Sequence, residues 1–284
     1  MATSPDGYAA DFLPIDVALP SPATAQVVRE LTYTHFTVLL DPERRFAVST
    51  GVNIDGSMPR EIDRTDDWHL DPRVPATEQA AEDVYRSNDL DRGHLVRRRD
   101  PVWGDKAIAA KANEETFVYT NAAPQVGDFN QGKELWSGLE DFVLAYARAY
   151  RQRISVFTAP VLTLDDPPYR GILIPRQFWK IAAWTTDDGS VLAASGYLLD
   201  QTPQLNDIDL AEARARAAGA GDPPPLGPYR TYQVPVSDVA ELTGLKLGQL
   251  VAADRFATAA VPHGTTDGDH PGWIRLKGRE DIVL

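Results

Sequence analysis

Residues 88–100 read "NDLDRGHLVRRRD" and set three acids, four arginines and one histidine beside a single glycine. The chain carries a formal net charge of −13, so a cluster of bases between Arg92 and Arg99 runs against its composition. The stretch is either a solvated charged bend or a place where something anionic is handled. Histidine suits proton transfer because its unperturbed pKa is about 6.5. Arginine supplies a fixed charge and paired donors that match the nonbridging oxygens of a phosphate. Glycine between them permits close approach of backbone or an unusual φ.

Hydrophobic residues make up 43% and charged residues 24% of the 284 positions, which supports a buried core and a folded globular protein. Cysteine is absent, so disulfides, thiolate zinc sites and cysteine nucleophiles are excluded, and any metal must use oxygen or imidazole ligands. The acidic total argues against broad adhesion to polyanions. It leaves room for a local site, because salt screens charges beyond ~8–10 Å. The N-terminal sequence shows no basic region followed by an apolar run, and no apolar stretch approaches the ~18–20 residues of a membrane span. The expectation is a chain without Sec export or membrane insertion, cytoplasmic or delivered by a specialised system.

Working outward, residues 1–28 read as an irregular segment rich in Pro, Ala, Ser and Asp. Residues 32–40 and 45–54 read as a hairpin around "DPER", followed by a long polar loop over residues 57–79 and a short helix in "EQAAEDVYRSN". "ETFVYTNAAPQ" reads as strand, then loop. "KELWSGLEDFVLAYARAYRQ" spaces its apolar residues by three and four, the mark of a helix with one buried face. "RISVFTAPVLT", "GILIPRQFWKIAAWTT" and "VLAASGYLL" read as strands, with "DDGS" as a hairpin turn. "LAEARARAAGAGDPPPLGP" reads as a short helix running into Gly and Pro, and "PVSDVAELTGL" as a helix capped by Ser237 or Asp238 and stopped by Gly244. The class is α+β, with a mixed or antiparallel sheet and one domain over 29–284, its tail starting near 259.

Cleaving a phosphodiester calls for a base to activate water, a cation to neutralise charge and stabilisation of the leaving oxygen. His94 suits the first role and Arg92 the second, while Asp91 could fix the loop or a metal-bound water. Magnesium takes few protein ligands, so Asn130 in "GDFNQG" could give one amide oxygen. Glu140 follows in the helix, where Trp136, Leu139 and Val143 put its carboxylate against the apolar sector, an expensive place without a partner.

"DRGHL", "FVYTNAAPQVGDFNQG" and "WSGLEDF", in that order, resemble the DNA/RNA non-specific endonucleases, the ββα-metal group. "YRSNDLDRGH", "ISVFTAPVL" and "IPRQFWKI" extend the similarity over roughly residues 30–258. Ordered blocks make this a strong signal where DRGH alone is weak. The resemblance implies a ββα-metal motif and a metal-dependent, sugar-nonspecific endonuclease acting on DNA and RNA, leaving 5′-phosphate and 3′-hydroxyl ends. It implies His94 as general base, Asn130 as direct ligand of Mg²⁺ (with Mn²⁺ as a substitute), Glu140 holding a metal-bound water, Arg92 stabilising the pentacoordinate phosphate and Asn121 supporting the site. The family also uses an upstream arginine, for which Arg64 is the candidate.

Two departures stand out. "LVRRRDP" follows DRGH where relatives often carry small residues and proline, making Arg97 and Arg98 candidates for substrate contact. The segment between Asn130 and "WSGLE" is about two residues longer than in most relatives, which leaves Glu134 as a fallback for Glu140. Read alone, His94 is a surface or hydrogen-bonded residue, Asn130 a turn or cap, Asn121 a strand-end turn and Arg97 to Arg99 a solvated face paired with Asp100 and Asp105. Alternative functions are a nuclease restricted to RNA or single strands, or a nucleic-acid-binding or protein-interaction module without turnover. An unexported nuclease endangers its cell, so an inhibitor, a gating event such as an activating partner, or a specialised delivery route is expected, and the resemblance allows a homodimer.

Overall fold

The computed structural model of the chain describes residues 7–88, 90–126, 143–145, 147–186, 189–202, 205, 230–256, 266–267, 270–276 and 281–282. Its strands are β1 (Arg29–Tyr33), β2 (Phe36–Asp41), β3 (Phe46–Asp55), β4 (Leu90–His94), β5 (Ala122–Val126), β6 (Arg153–Val161), β7 (Pro168–Tyr169), β8 (Ile172–Leu173), β9 (Gln177–Thr186), β10 (Val191–Asp200), β11 (Arg230–Val234), β12 (Thr266–Asp267) and β13 (His270–Arg275). Helices are α1 (Glu82–Tyr85), α2 (Lys106–Glu115), α3 (Val236–Thr243) and α4 (Gly248–Ala252), and residues 143–145 and 147–150 are also helical. Among the described residues no helix is long and apolar enough to cross a membrane.

Among the described residues, nine strands form one sheet in the order β1-β2-β3-β6-β9-β10-β11-β13-β12. Every neighbouring pair is antiparallel, so the α+β class with an antiparallel core holds. Side chains alternate between the two faces of a strand, and here both faces are covered. In β9, Phe178, Ala182 and Trp184 enter one core cluster while Trp179, Ile181 and Ala183 enter the other. This explains the near-continuous apolar run "FWKIAAW", which a one-sided sheet would break with polar residues. One face carries α3, α4 and the irregular N-terminal segment, whose Leu13 and Val17 are buried. The other carries the separate β4–β5 ribbon, α1 and Val143, Leu144 and Ala147.

Several expectations are corrected. The span 32–40 is two strands, because the chain turns at Thr34 and His35. His35 adopts φ 68°, an uncommon conformation for a residue with a side chain. It is held by stacking on Trp103 at 3.5 Å and by an Nδ1 contact of 2.8 Å to the Pro101 carbonyl. Residues 117–119 are not a strand; Tyr119–Asn121 form a 3-10 turn and the strand begins at Ala122. The helix expected over "EQAAEDVYRSN" shrinks to the single turn α1. Pro235, not Ser237 or Asp238, precedes α3, while Gly244 ends it at φ 65° as expected. The α2 helix lies in a stretch given no element from sequence. "LAEARARAAGAGDPPPLGP" and most of the helix expected over 133–152 lie outside the described residues.

Candidate active site

The quoted stretch is a strand followed by a turn. β4 pairs antiparallel with β5, matching Arg92 with Pro124, Gly93 with Ala123 and His94 with Ala122. Residues two apart on a strand share a face, so Arg92 and His94 project together while Asp91 and Gly93 face the other way. The glycine is steric: a Cβ at Gly93 would sit 2.1 Å from Cδ of the buried Gln125 side chain.

The His94 ring enters an aromatic box. Trp68 lies 4.6 Å away between ring centroids and Phe117 5.1 Å away, edge to face. Trp68 also stands 5.4 Å from Phe117 and 6.0 Å from Tyr119. Nε2 of His94 is buried and has no hydrogen-bond partner among the described residues. Burial, reinforced by the Arg64 and Arg98 charges, pushes the His94 pKa down to about 3, so its imidazole is neutral at physiological pH.

Arginines surround the box from three segments. Nη1 of Arg92 donates to Glu82 Oε2 at 3.0 Å, the oxygen that also accepts from the Tyr119 hydroxyl at 3.1 Å. The Arg92 guanidinium carbon is 5.8 Å from the Trp68 ring centre. Arg64 lies 5.6 Å from the Phe117 ring centre and pairs with Asp66 through Nε at 2.6 Å. Arg98 donates from Nη1 to the Ile62 carbonyl at 2.8 Å and to Asn113 Oδ1 at 2.9 Å, tying the long loop to α2. Arg99 pairs with Glu61, not with Asp105. Arg97 is half-buried in the same turn.

Two devices hold these pieces in place. Asn121 is fully buried; its side chain accepts from Val96 N at 2.8 Å and donates to the Val96 and Thr116 carbonyls, both at 3.0 Å. It thereby clamps the chain that leaves His94. The long loop is docked by backbone bonds from His69 N to the Phe117 carbonyl and from Tyr119 N to the His69 carbonyl, each 3.0 Å. Its distal part is anchored by Asp71, which accepts from the Tyr33 hydroxyl at 2.5 Å and from Arg73 Nη2 at 2.6 Å.

The structure thus brings Arg64, Arg92, His94 and Arg98 together, places Asn121 beneath them and sends Asp91 to the opposite face of the ribbon. Asn130, Glu140 and Glu134 lie outside the described residues. Among the described residues no group of three His, Asp or Glu side chains is placed to hold a metal. Sequence reading missed Trp68, Phe117, Tyr119 and Glu82 as parts of the site. Trp68 did leave a trace: a lone tryptophan in an otherwise polar loop needs an apolar surface to dock on.

Comparison with known proteins fits this geometry. Residues 18–254 match the family described as DNA/RNA non-specific endonuclease. The chain is 38% identical to an uncharacterized protein, y4fB, of Sinorhizobium fredii, over 94% of this chain and 43% of that protein. It is 35% identical to human mitochondrial endonuclease G over 70% of this chain and 62% of that one. It is 30% identical to nuclease C1 of Cunninghamella echinulata over 78% and 86%. The chain therefore spans less than two thirds of the first two of these relatives. A solved complex of EndoG with EndoGI shares the fold at a TM-score of 0.57 and 20% identity, covering 80% of this chain and 87% of that one. With the match extending from before β1 to beyond α4, the chain belongs to the DNA/RNA non-specific endonuclease family.

Proposed function

We propose that the chain is a divalent-metal-dependent endonuclease that hydrolyses phosphodiester bonds in DNA and RNA, leaving 5′-phosphate and 3′-hydroxyl ends. The observation that carries this reading is the neutral ring nitrogen of His94, without a hydrogen-bond partner among the described residues, in a box ringed by arginines. An imidazole held unprotonated is ready to accept a proton, and an anionic phosphate beside it would raise its basicity toward the useful range. In this reading His94 takes a proton from water as the water oxygen bonds to phosphorus. The P–O3′ bond breaks, and the departing 3′ oxygen takes a proton from solvent. Arg92 neutralises charge on the nonbridging oxygens, and Arg64, Arg97 and Arg98 hold the strand. Asn121 positions the turn after His94.

Asn130 is the proposed direct ligand of the ion, with Glu140 holding a coordinated water. Amide oxygen and water are the hard donors that Mg²⁺ or Mn²⁺ accepts, and a neutral His94 is compatible with a nearby dication where an imidazolium would repel it. Once bound, such an ion supplies charge neutralisation at the phosphate and lowers the pKa of its water. An inhibitor also belongs to this reading, supported by the solved neighbour, a complex that captures EndoG inhibition.

Supercoiled plasmid incubated with the purified chain tests the proposal. Nicking is expected with Mg²⁺, and not with EDTA or in His94→Ala and Asn130→Ala. Wild-type rates in His94→Ala, or full activity in EDTA, would overturn it. A panel of duplex DNA, single strands and RNA measures the substrate range.

A further inference from the structure

We infer that Arg99 and Arg148 form a second phosphodiester subsite, which Glu61 occupies in the free protein. This rests on the nuclease reading above and extends it to a residue pair drawn from two separate elements. Arg99 lies in the turn after β4, Arg148 in the helical residues 147–150 and Glu61 in the long loop. One carboxylate oxygen bridges both cations: Glu61 Oε1 accepts from Arg99 Nη2 at 3.0 Å and from Arg148 Nη1 at 3.1 Å. Its Oε2 is a further 3.3 Å contact of Arg99 Nη2. An oxygen held between two guanidinium groups is the position that a nonbridging phosphate oxygen takes in arginine recognition of nucleic-acid backbones.

The three side chains are not equally seated. The Glu61 side chain is 75% exposed, while those of Arg99 and Arg148 are 34% and 25% exposed. The cations are set into the surface and the acid projects from it. Exposed ion pairs are weak, so an incoming phosphate can displace the carboxylate readily. Glu61 is also an incomplete counter-ion, because Nε and Nη2 of Arg148 are buried and without partners among the described residues. The two arginines continue the field that starts at His94, since Arg98, next to Arg99, already acts on that ring. Arg99 and Glu61 in turn lie close enough to Arg98 to act on its charge, which links the subsite to the arginines around His94.

Anisotropy of a labelled oligonucleotide in EDTA, measured across a salt series, tests this without cleavage. Compared with wild type, Glu61→Gln is expected to bind about three- to tenfold more tightly. Glu241→Gln on α3 removes the same charge elsewhere and is expected to show a smaller gain. The Arg99→Gln/Arg148→Gln double variant is expected to bind more weakly and to lower the slope of log K against log salt by about one, the mark of one lost phosphate contact. Glu61→Gln binding no tighter than Glu241→Gln, or an unchanged slope in the double variant, overturns the subsite alone. A wild-type chain that binds no nucleic acid overturns this site, whereas the nuclease reading itself stands or falls with Mg²⁺-dependent nicking of plasmid.

Discussion

The ring of Trp68 stands 4.6 Å from that of His94, brought there by a loop whose backbone bonds to the Phe117–Tyr119 segment. This contact supplies part of the desolvation that keeps the imidazole neutral. Trp68→Ala is expected to admit water and raise the His94 pKa by more than one unit toward the ordinary histidine value of about 6.5. Cleavage should fall roughly ten- to a hundredfold, because the ring loses its fixed orientation. Titration of the His94 ring signals by NMR without metal checks this, and an unchanged pKa would show that other groups set the ring's state.

The same depressed pKa ties stability to pH. The folded chain refuses a proton at His94 down to about pH 3, whereas the unfolded chain accepts one near pH 6.5. Between those values the unfolded state binds more protons, so this contribution is complete above pH 6.5 and is lost as pH falls. The expected slope from this one group approaches ~1.4 kcal/mol per pH unit. His35 is shifted downward by burial as well, so the total slope is shared. Denaturant melts of wild type and His94→Gln from pH 7 to pH 4 separate the two, and parallel curves would remove His94 from the account.

How far the sequence reveals this architecture depends on the kind of signal involved. The strands β6, β9 and β10 are legible because a long apolar run bounded by turn residues fits a strand buried on both faces and little else. The β1–β2 turn is not legible, since it uses Thr34 and His35 where a tight turn usually shows Gly, Asn or Asp. Its conformation is imposed from afar by Trp103 and the Pro101 carbonyl. The strand-then-loop reading of 117–124 fails because the apolar Phe117 and Tyr119 serve the box around His94 and not a sheet. Arg92 and His94 are legible through DRGH, whereas Trp68 and Glu82 depend on tertiary contacts with no fixed spacing.

Asn121 separates positioning from chemistry. Asn121→Ala removes three hydrogen bonds and leaves Val96 N and two carbonyls unsatisfied in a buried place. The expected cost is about 2–4 kcal/mol of folding stability, with activity lost in step with the displaced turn. His94→Gln, in contrast, keeps much of the ring's volume and leaves the three Asn121 hydrogen bonds in place, and is expected to abolish cleavage at a smaller cost in stability. Chemical denaturation beside a nicking assay distinguishes the two, and an Asn121→Ala protein of wild-type stability would contradict the clamp.

Gly93 offers the sharpest structural test, because its requirement can be traced to one neighbour. A methyl group there would fall 2.1 Å from Gln125 Cδ and 2.2 Å from its Oε1. Gly93 and Ala123 pair directly, and Gln125 lies diagonally beyond, opposite Asp91, so the clash is between a strand backbone and a side chain of the adjacent strand. Gln125 is buried and cannot swing into solvent without exposing the ribbon. Gly93→Ala is therefore expected to destabilise the fold by ~1–3 kcal/mol and to displace the adjoining Arg92 and His94. Shortening the neighbour relieves the overlap, so Gln125→Ala should cost less in the Gly93→Ala background than in wild type, with a coupling of about 1 kcal/mol or more. Strict additivity in that double-mutant cycle would mean that DRGH needs its glycine for some reason other than the close approach of Gln125.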